Sequence, residues 1–106
     1  MSNVINIIED LKKHLINNFG ETIKDVILFG SQANGNQNPF SDYDVLIIVK
    51  KEFSETEENQ ILDKCYDINL KYDIILDVHI FSINEINTIR GKQPLFMNAL
   101  KKGIYA

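Results

Sequence analysis

Two short groups of residues in the first half of the chain have the types and spacing for chemistry on a nucleoside triphosphate. Gly30 and Ser31 follow an apolar, strand-like segment, and a Gly-Ser turn can present backbone N–H groups to a phosphate. Asp42 and Asp44 stand one residue apart at the head of a second apolar segment. Because side chains at i and i+2 of a strand share a face, their Cβ atoms should lie about 6–7 Å apart. Two carboxylates at that spacing can converge on one or two divalent cations.

Asp77 is the best candidate for a third acidic group, because it interrupts the otherwise apolar segment 74–80. An unpaired buried carboxylate is costly, so we expect a metal ion or another partner beside it. The alternative is that Asp77 pairs with a nearby lysine or a backbone donor. An all-oxygen ligand set favours Mg²⁺, or Mn²⁺, over zinc. His79 would share a face with Asp77 and line an acceptor pocket, but for a lone histidine we favour a structural partner.

Each part of this pattern has an ordinary interpretation when taken alone. Gly30-Ser31 is common turn chemistry, and Asp42 after Ser41 could simply begin a strand. Asp44, one step inside the strand, is harder to explain that way. The combination of a phosphate-binding turn and paired carboxylates is therefore much more specific than either part.

The hydrophobic pattern predicts the elements that must hold these residues. A buried strand precedes the Gly-Ser turn, and a loop with one helical turn after Ser31 leads to the strand that carries the aspartate pair. Ser54 and Glu57 match a capping box that opens the next helix, and Ser82 or Asn84 would cap a later one. In order, the predicted elements are a helix over 3–19 ended by Gly20, strands 25–29 and 43–49, a helix from Ser54 to about residue 70, a strand over 73–81, a helix through Ile89, and a helix over 94–102 ended by Gly103.

This order, αβ(α)βαβα, predicts an α/β or α+β fold with a small, mixed, three-stranded sheet and flanking helices. The 106 residues suit one domain over 1–106, and a partner or a second copy of the chain would supply further burial for so small a core. The net charge of −4 and the lack of a basic stripe argue against a nucleic-acid partner. No segment has the length or pattern of a membrane span or secretory signal, so we expect a cytoplasmic protein. We expect Cys65, the one cysteine, to be a small buried apolar group.

The motif Gly30-Ser31-x-Ala33-x-Gly35, followed by Ser41-Asp42-x-Asp44 and later by Asp77, resembles the nucleotidyltransferase superfamily that includes DNA polymerase β. The short form of the chain looks like the minimal nucleotidyltransferases (MNT) of bacteria and archaea, over essentially its whole length.

The resemblance implies a role for each motif residue. Gly30 and Ser31 would contact the triphosphate of ATP, and Asp42 and Asp44 would bind two Mg²⁺ ions. Asp77 would ligate the catalytic metal and orient or deprotonate an acceptor hydroxyl. The reaction would be an in-line attack on the α-phosphorus with pyrophosphate as the leaving group.

The acceptor implied by the resemblance is a protein. Many MNT proteins are antitoxins encoded beside HEPN-domain toxins, and some transfer AMP to a tyrosine of that partner. One alternative is a catalytically idle antitoxin that neutralises its partner by docking. Another is a nucleotide-binding subunit that modifies a small molecule. Asn34 stands where family members often carry arginine, and Arg90, Lys92 or a partner would have to replace that charge.

Overall fold

The computed structural model describes residues 4–30, 42–89 and 93–106, and within them a mixed four-stranded sheet carries helices on both faces. Ser31, Asn34 and the predicted helical turn lie outside the described residues, as do Arg90 and Lys92. The α/β fold class predicted from the sequence is confirmed. The elements are α1 (Val4–Phe19), a 3₁₀ turn (Gly20–Thr22), β1 (Ile23–Phe29), β2 (Tyr43–Val49), α2 (Glu55–Tyr72), β3 (Leu76–Ser82), α3 (Ile83–Ile89), α4 (Pro94–Lys102) and β4 (Ile104–Tyr105).

The strand order across the sheet is β3-β2-β1-β4. β1 runs antiparallel to both β2 and β4, whereas β2 and β3 are parallel and are joined through α2. A parallel pair requires such a crossover connection, and an α-helix is the usual one. The central strands β1 and β2 are almost entirely buried, as expected for strands covered on both faces.

Alternation along the strands divides the core between the two faces of the sheet. One face packs against α1 and α2 through a large aliphatic cluster that includes Leu11, Val26, Ile47 and Cys65. The opposite face packs against α3 and α4 through a smaller cluster that includes Ile27, Leu46 and Phe96. Because Asp44 lies two positions before Leu46, its side chain belongs to this second face.

Several elements differ from the sequence prediction, and β1, for example, begins at Ile23 rather than at residue 25. α2 continues to Tyr72, because Asp73 adopts the left-handed conformation (φ 54°) that ends the helix. β3 therefore begins at Leu76 rather than at residue 73. The short strand β4 was not predicted, since two residues carry no readable alternation; it pairs with β1 and makes the sheet four-stranded instead of three-stranded.

The predicted helix caps are present. Ser54 and Glu57 form the reciprocal capping box at the start of α2, and Ser82 is the cap that α3 uses. The Glu85 N–H donates to Ser82 Oγ at 3.2 Å, and the Ser82 N–H donates to Glu85 Oε1 at 3.1 Å. Because Ser82 is fully buried, these reciprocal bonds satisfy polar atoms that water cannot reach. No helix among the described residues is long and apolar enough to cross a membrane.

Candidate active site

Asp44 and Asp77 meet at one end of the parallel strand pair. They occupy equivalent register positions on β2 and β3, one residue into β2 and one residue into β3. Adjacent strands lie about 4.8 Å apart, so residues in register on one face bring their side chains together. The fold thus places side by side two carboxylates that are separated by more than thirty positions in the sequence.

The pKa of Asp44 is raised above its ordinary value. Burial is the largest cause, followed by repulsion from Asp77, a side-chain hydrogen bond with Asp77 and a smaller repulsion from Asp42; His79 acts in the opposite direction. Among the described residues, no salt bridge from a lysine or arginine reaches Asp44. A cation between the two carboxylates would supply the missing positive charge.

Gly30, directly after β1, packs against the Asp44 carboxylate. Its φ of 79° lies in the left-handed region, and a Cβ built on it would collide with Asp44 Oδ2. Two independent constraints therefore require glycine here: the backbone conformation and the carboxylate packed against it. Phe29, the preceding residue, pairs with Asp44 across the antiparallel strands, which places Gly30 beside the carboxylate.

Asp42 and Asp77 differ from the sequence prediction in their surroundings. Asp42 is exposed and precedes β2, which begins at Tyr43. Asp77 was expected to be buried, but its side chain is 51 % exposed because β3 is an edge strand of the sheet. The cost of burial therefore falls on Asp44, whereas the open side of Asp77 faces solvent.

His79 belongs to the same cluster, although a structural role was favoured for it from the sequence. Its Nε2 lies 3.7 Å from Asp77 Oδ2. One ligand atom from each of Asp44, Asp77 and His79 can be chosen so that all three lie within 4.8 Å of one another. The signal was present in the sequence, since His79 lies two positions after Asp77 on the same strand face. By contrast, the other histidine, His14 on α1, hydrogen-bonds to Asp67 at 2.8 Å on the other side of the sheet.

A cavity of about 340 Å³ opens beside Gly30, between the end of β1 and α4. Phe29 and Leu95 supply apolar surface, and Asn98 and Lys102 supply an amide and a positive charge. Another cavity, of about 380 Å³, lies beside α1 and is lined by Asp10, Lys12 and Lys13 among others. It includes none of the residues predicted for the site, so we assign the candidate site to the first cavity and the adjoining carboxylates.

Comparison with known proteins agrees with this geometry. The family model described as "Nucleotidyltransferase domain" matches residues 6–105. The chain is 37 % identical over 78 residues to "Putative protein adenylyltransferase MJ0141" of Methanocaldococcus jannaschii. The aligned residues cover 74 % of this chain and 79 % of that protein. It is 31 % identical over 81 residues to "Putative protein adenylyltransferase MJ0604" of the same organism, covering 76 % of this chain and 75 % of that protein.

Two solved structures share the fold. "Crystal structure of the toxin-antitoxin with AMP-PNP" aligns with a TM-score of 0.57 at 17 % identity, over 92 % of this chain and 70 % of that one. A mutant of the toxin-antitoxin MntA-HpeT aligns with a TM-score of 0.58 at 16 % identity, over 92 % of this chain and 69 % of that one. The resemblance noted in the sequence is confirmed: the chain belongs to the nucleotidyltransferase domain family, in its minimal (MNT) form, and is a nucleotidyltransferase.

Proposed function

We propose that the protein is a Mg²⁺-dependent adenylyltransferase that transfers AMP from ATP to a hydroxyl of a HEPN-type toxin partner, and so acts as the antitoxin. The relatives' name, protein adenylyltransferase, supports AMP as the transferred group and a protein as the acceptor. The two structural neighbours, both toxin-antitoxin complexes and one with AMP-PNP, support the partner and the nucleotide. The observation that supports this proposal most strongly is that Asp44 and Asp77 face each other beside Gly30.

The donor set fits the divalent cation that this chemistry requires. Asp44 and Asp77 supply hard oxygen ligands, and the raised pKa of Asp44 marks a carboxylate that lacks a positive partner. In the proposal Asp42, Asp44 and Asp77 together hold two Mg²⁺ ions, with Mn²⁺ as a substitute. When bound, the ions neutralise the triphosphate and stabilise the charge on the attacking and leaving oxygens.

The residues of the chain then position the two reactants. Gly30 and Ser31 offer backbone N–H groups to the triphosphate, and the missing side chain at Gly30 lets the nucleotide approach the carboxylates closely. The cavity beside Gly30 receives the nucleoside, with Phe29 as an apolar wall and Lys102 as a positive charge near the phosphates. Lys102 is thus a candidate for supplying the positive charge that family members often have as an arginine at the position of Asn34.

Asp77 acts on the acceptor. Its exposed carboxylate accepts a hydrogen bond from the incoming hydroxyl, orients it in line with the α-phosphorus and takes its proton as the bond forms. The acceptor oxygen becomes bonded to the α-phosphorus, the bond from that phosphorus to the bridging oxygen breaks, and pyrophosphate leaves. The products are an adenylylated hydroxyl and pyrophosphate.

The test is co-expression with the HEPN-domain protein proposed as the partner, followed by mass spectrometry of that partner. We expect an AMP adduct on a hydroxyl side chain when the wild-type protein is present. The adduct should be absent with Asp42→Asn/Asp44→Asn and present with the matched control Asp25→Asn, whose carboxylate pairs with Lys24 outside the site. An adduct that survives the double substitution would refute the proposal.

The second candidate is neutralisation by docking alone. It is favoured by a stripe of exposed apolar side chains at four-residue spacing on the outer face of α2, formed by Leu62, Tyr66 and Leu70. One experiment distinguishes neutralisation by docking from neutralisation by AMP transfer. If the Asp42→Asn/Asp44→Asn variant still protects cells from the toxin as well as wild type does, docking is sufficient. Loss of protection with retained binding would show that AMP transfer is required.

A further inference from the structure

His79 faces the carboxylate pair at a separation that suits a shared ion better than a direct hydrogen bond. Its Nε2 lies 3.7 Å from Asp77 Oδ2, beyond the range of about 2.7–3.2 Å for an N–H···O bond. Donor atoms that share one cation at about 2.1 Å from each lie roughly 3 Å apart when adjacent and roughly 4.2 Å apart when opposite. The ligand atoms of Asp44, Asp77 and His79 lie within 4.8 Å of one another, which is close to the spacing that one shared cation requires.

The imidazole ring is held in this position by aromatic packing. Phe96 of α4 meets it edge-on, with ring centroids 5.4 Å apart, and Phe29 of β1 packs at 5.9 Å. Phe96 is itself anchored by Phe81, at 4.9 Å. These rings restrict the rotation of His79 and form an apolar wall behind it, while the histidine side chain keeps 31 % of its surface exposed. Oriented ligands with an apolar wall behind them are typical of metal centres.

We infer, on the basis of the proposed function, that His79 supplies a nitrogen ligand to the cation held by Asp44 and Asp77. This ligand strengthens the binding of Mn²⁺ more than that of Mg²⁺, the ion of the proposed reaction. Mg²⁺ demands oxygen ligands in a near-ideal octahedron and gives up its waters reluctantly. Imidazole nitrogen suits first-row transition metals, among which Mn²⁺ also accepts carboxylates readily. Adding one imidazole to two carboxylates therefore raises the affinity for Mn²⁺ more than the affinity for Mg²⁺.

The effect of His79 is measured on the nucleotide-free protein, so that activity is not the readout. Mn²⁺ binding is followed by electron paramagnetic resonance and Mg²⁺ binding by competition. The variant His79→Phe keeps an aromatic ring between Phe29 and Phe96 but removes both nitrogens. If circular dichroism shows that His79→Phe is unfolded, His79→Gln takes its place. His14→Phe is the matched control, because His14 pairs with Asp67 away from the site.

We expect His79→Phe to weaken Mn²⁺ binding about tenfold or more and Mg²⁺ binding much less, in line with the usual weight of one ligand. Pulsed electron paramagnetic resonance should detect nitrogen coordinated to Mn²⁺ in the wild type and in His14→Phe, but not in His79→Phe. Equal Mn²⁺ affinity and an unchanged nitrogen signal in His79→Phe would overturn the inference, while loss of binding in Asp44→Asn would leave the proposed function standing. Mn²⁺ binding that also survives Asp44→Asn would instead refute the metal site of the proposed function.

Discussion

Asp44 and Asp77 occupy equivalent positions on the parallel strands β2 and β3, and this pairing organises the candidate site. Asp44 is the more buried of the two, and its pKa is raised by burial and by the neighbouring Asp77 carboxylate. Gly30 closes the site on the β1 side. A chain that holds two carboxylates together in this way loses stability unless a cation joins them, which indicates selection for function rather than for folding.

Asp44→Asn should abolish nucleotidyl transfer and yet stabilise the metal-free protein by roughly 0.5–1 kcal/mol, because it removes a desolvated charge beside Asp77. The measurement is urea unfolding without divalent ions, repeated with saturating Mg²⁺ or Mn²⁺. The ions should raise the stability of the wild type but not of the variant. Asp25→Asn is the control and should respond to the ions as the wild type does. A variant less stable than the wild type without metal would contradict this prediction.

The same carboxylate predicts the direction of the pH dependence. Because the pKa of Asp44 is higher in the folded protein than the ordinary 3.8, the folded state binds the proton more tightly. The stability of the metal-free wild type relative to Asp44→Asn should therefore fall as pH rises from about 3.8 through the raised pKa. Unfolding free energies of both proteins across pH 4–7 measure this difference. A difference that stays constant with pH would show that Asp44 is not perturbed.

Gly30→Ala should reduce transfer by about 100-fold or more, because the new Cβ would displace the Asp44 carboxylate. Gly20→Ala is a close control: Gly20 has a similar φ of 61°, but nothing lies within 4 Å of a Cβ built there. Both variants should lose about 1 kcal/mol of stability from backbone strain. Only Gly30→Ala should lose metal affinity and activity, and equal activities in the two variants would show that the collision is unimportant.

Asp10 should stabilise the packing of α1 against α2 in a pH-dependent way. Its carboxylate accepts hydrogen bonds from Lys71 Nζ at 2.5 Å and from Tyr72 Oη at 2.6 Å. The Lys71 bond, followed by the Tyr72 bond, lowers the pKa of Asp10 below 3.8. Its contribution is therefore present above that value and is lost as pH falls through the lowered pKa.

Asp10→Asn should accordingly cost about 0.5–1 kcal/mol at pH 7 and less at about pH 3. Unfolding in urea at the two pH values gives the difference. Glu9→Gln, a change of the same chemistry at the neighbouring exposed position, should have little effect at either pH. A cost for Asp10→Asn that grows toward acid would contradict the assignment.

Ser54→Ala should destabilise the protein by about 1 kcal/mol, since it removes the acceptor of the Glu57 N–H at the start of α2. Thr56→Ala, an exposed change in the same helical turn, is the control and should stay within about 0.5 kcal/mol. Thermal unfolding measures both. A cost for Ser54→Ala no larger than that for Thr56→Ala would show that the capping box contributes little. Neither variant should change nucleotidyl transfer, because α2 packs on the face of the sheet opposite Asp44.

Local patterns were enough to predict the helices, the caps and the strands that carry Asp44 and Asp77, because these depend on spacing that is readable over a few residues. The pairing of β2 with β3 could not be derived in the same way, since register depends on contacts between distant segments. The exposure of Asp77 follows from the edge position of β3, which local patterns do not reveal. His79 illustrates the same limit: its distance to Asp77 and its packing against Phe96 depend on the assembled sheet and α4.

The most direct test of the proposed reaction follows the two ends of the ATP triphosphate separately. The protein is incubated with the HEPN-type protein proposed as its partner, together with Mg²⁺ and ATP labelled either on the α- or on the γ-phosphate. We predict that α label joins the partner protein while γ label is released as pyrophosphate, and that both events stop in Asp44→Asn and Asp77→Asn. Transfer of γ label to the partner, or transfer of α label that persists in both variants, would contradict the account.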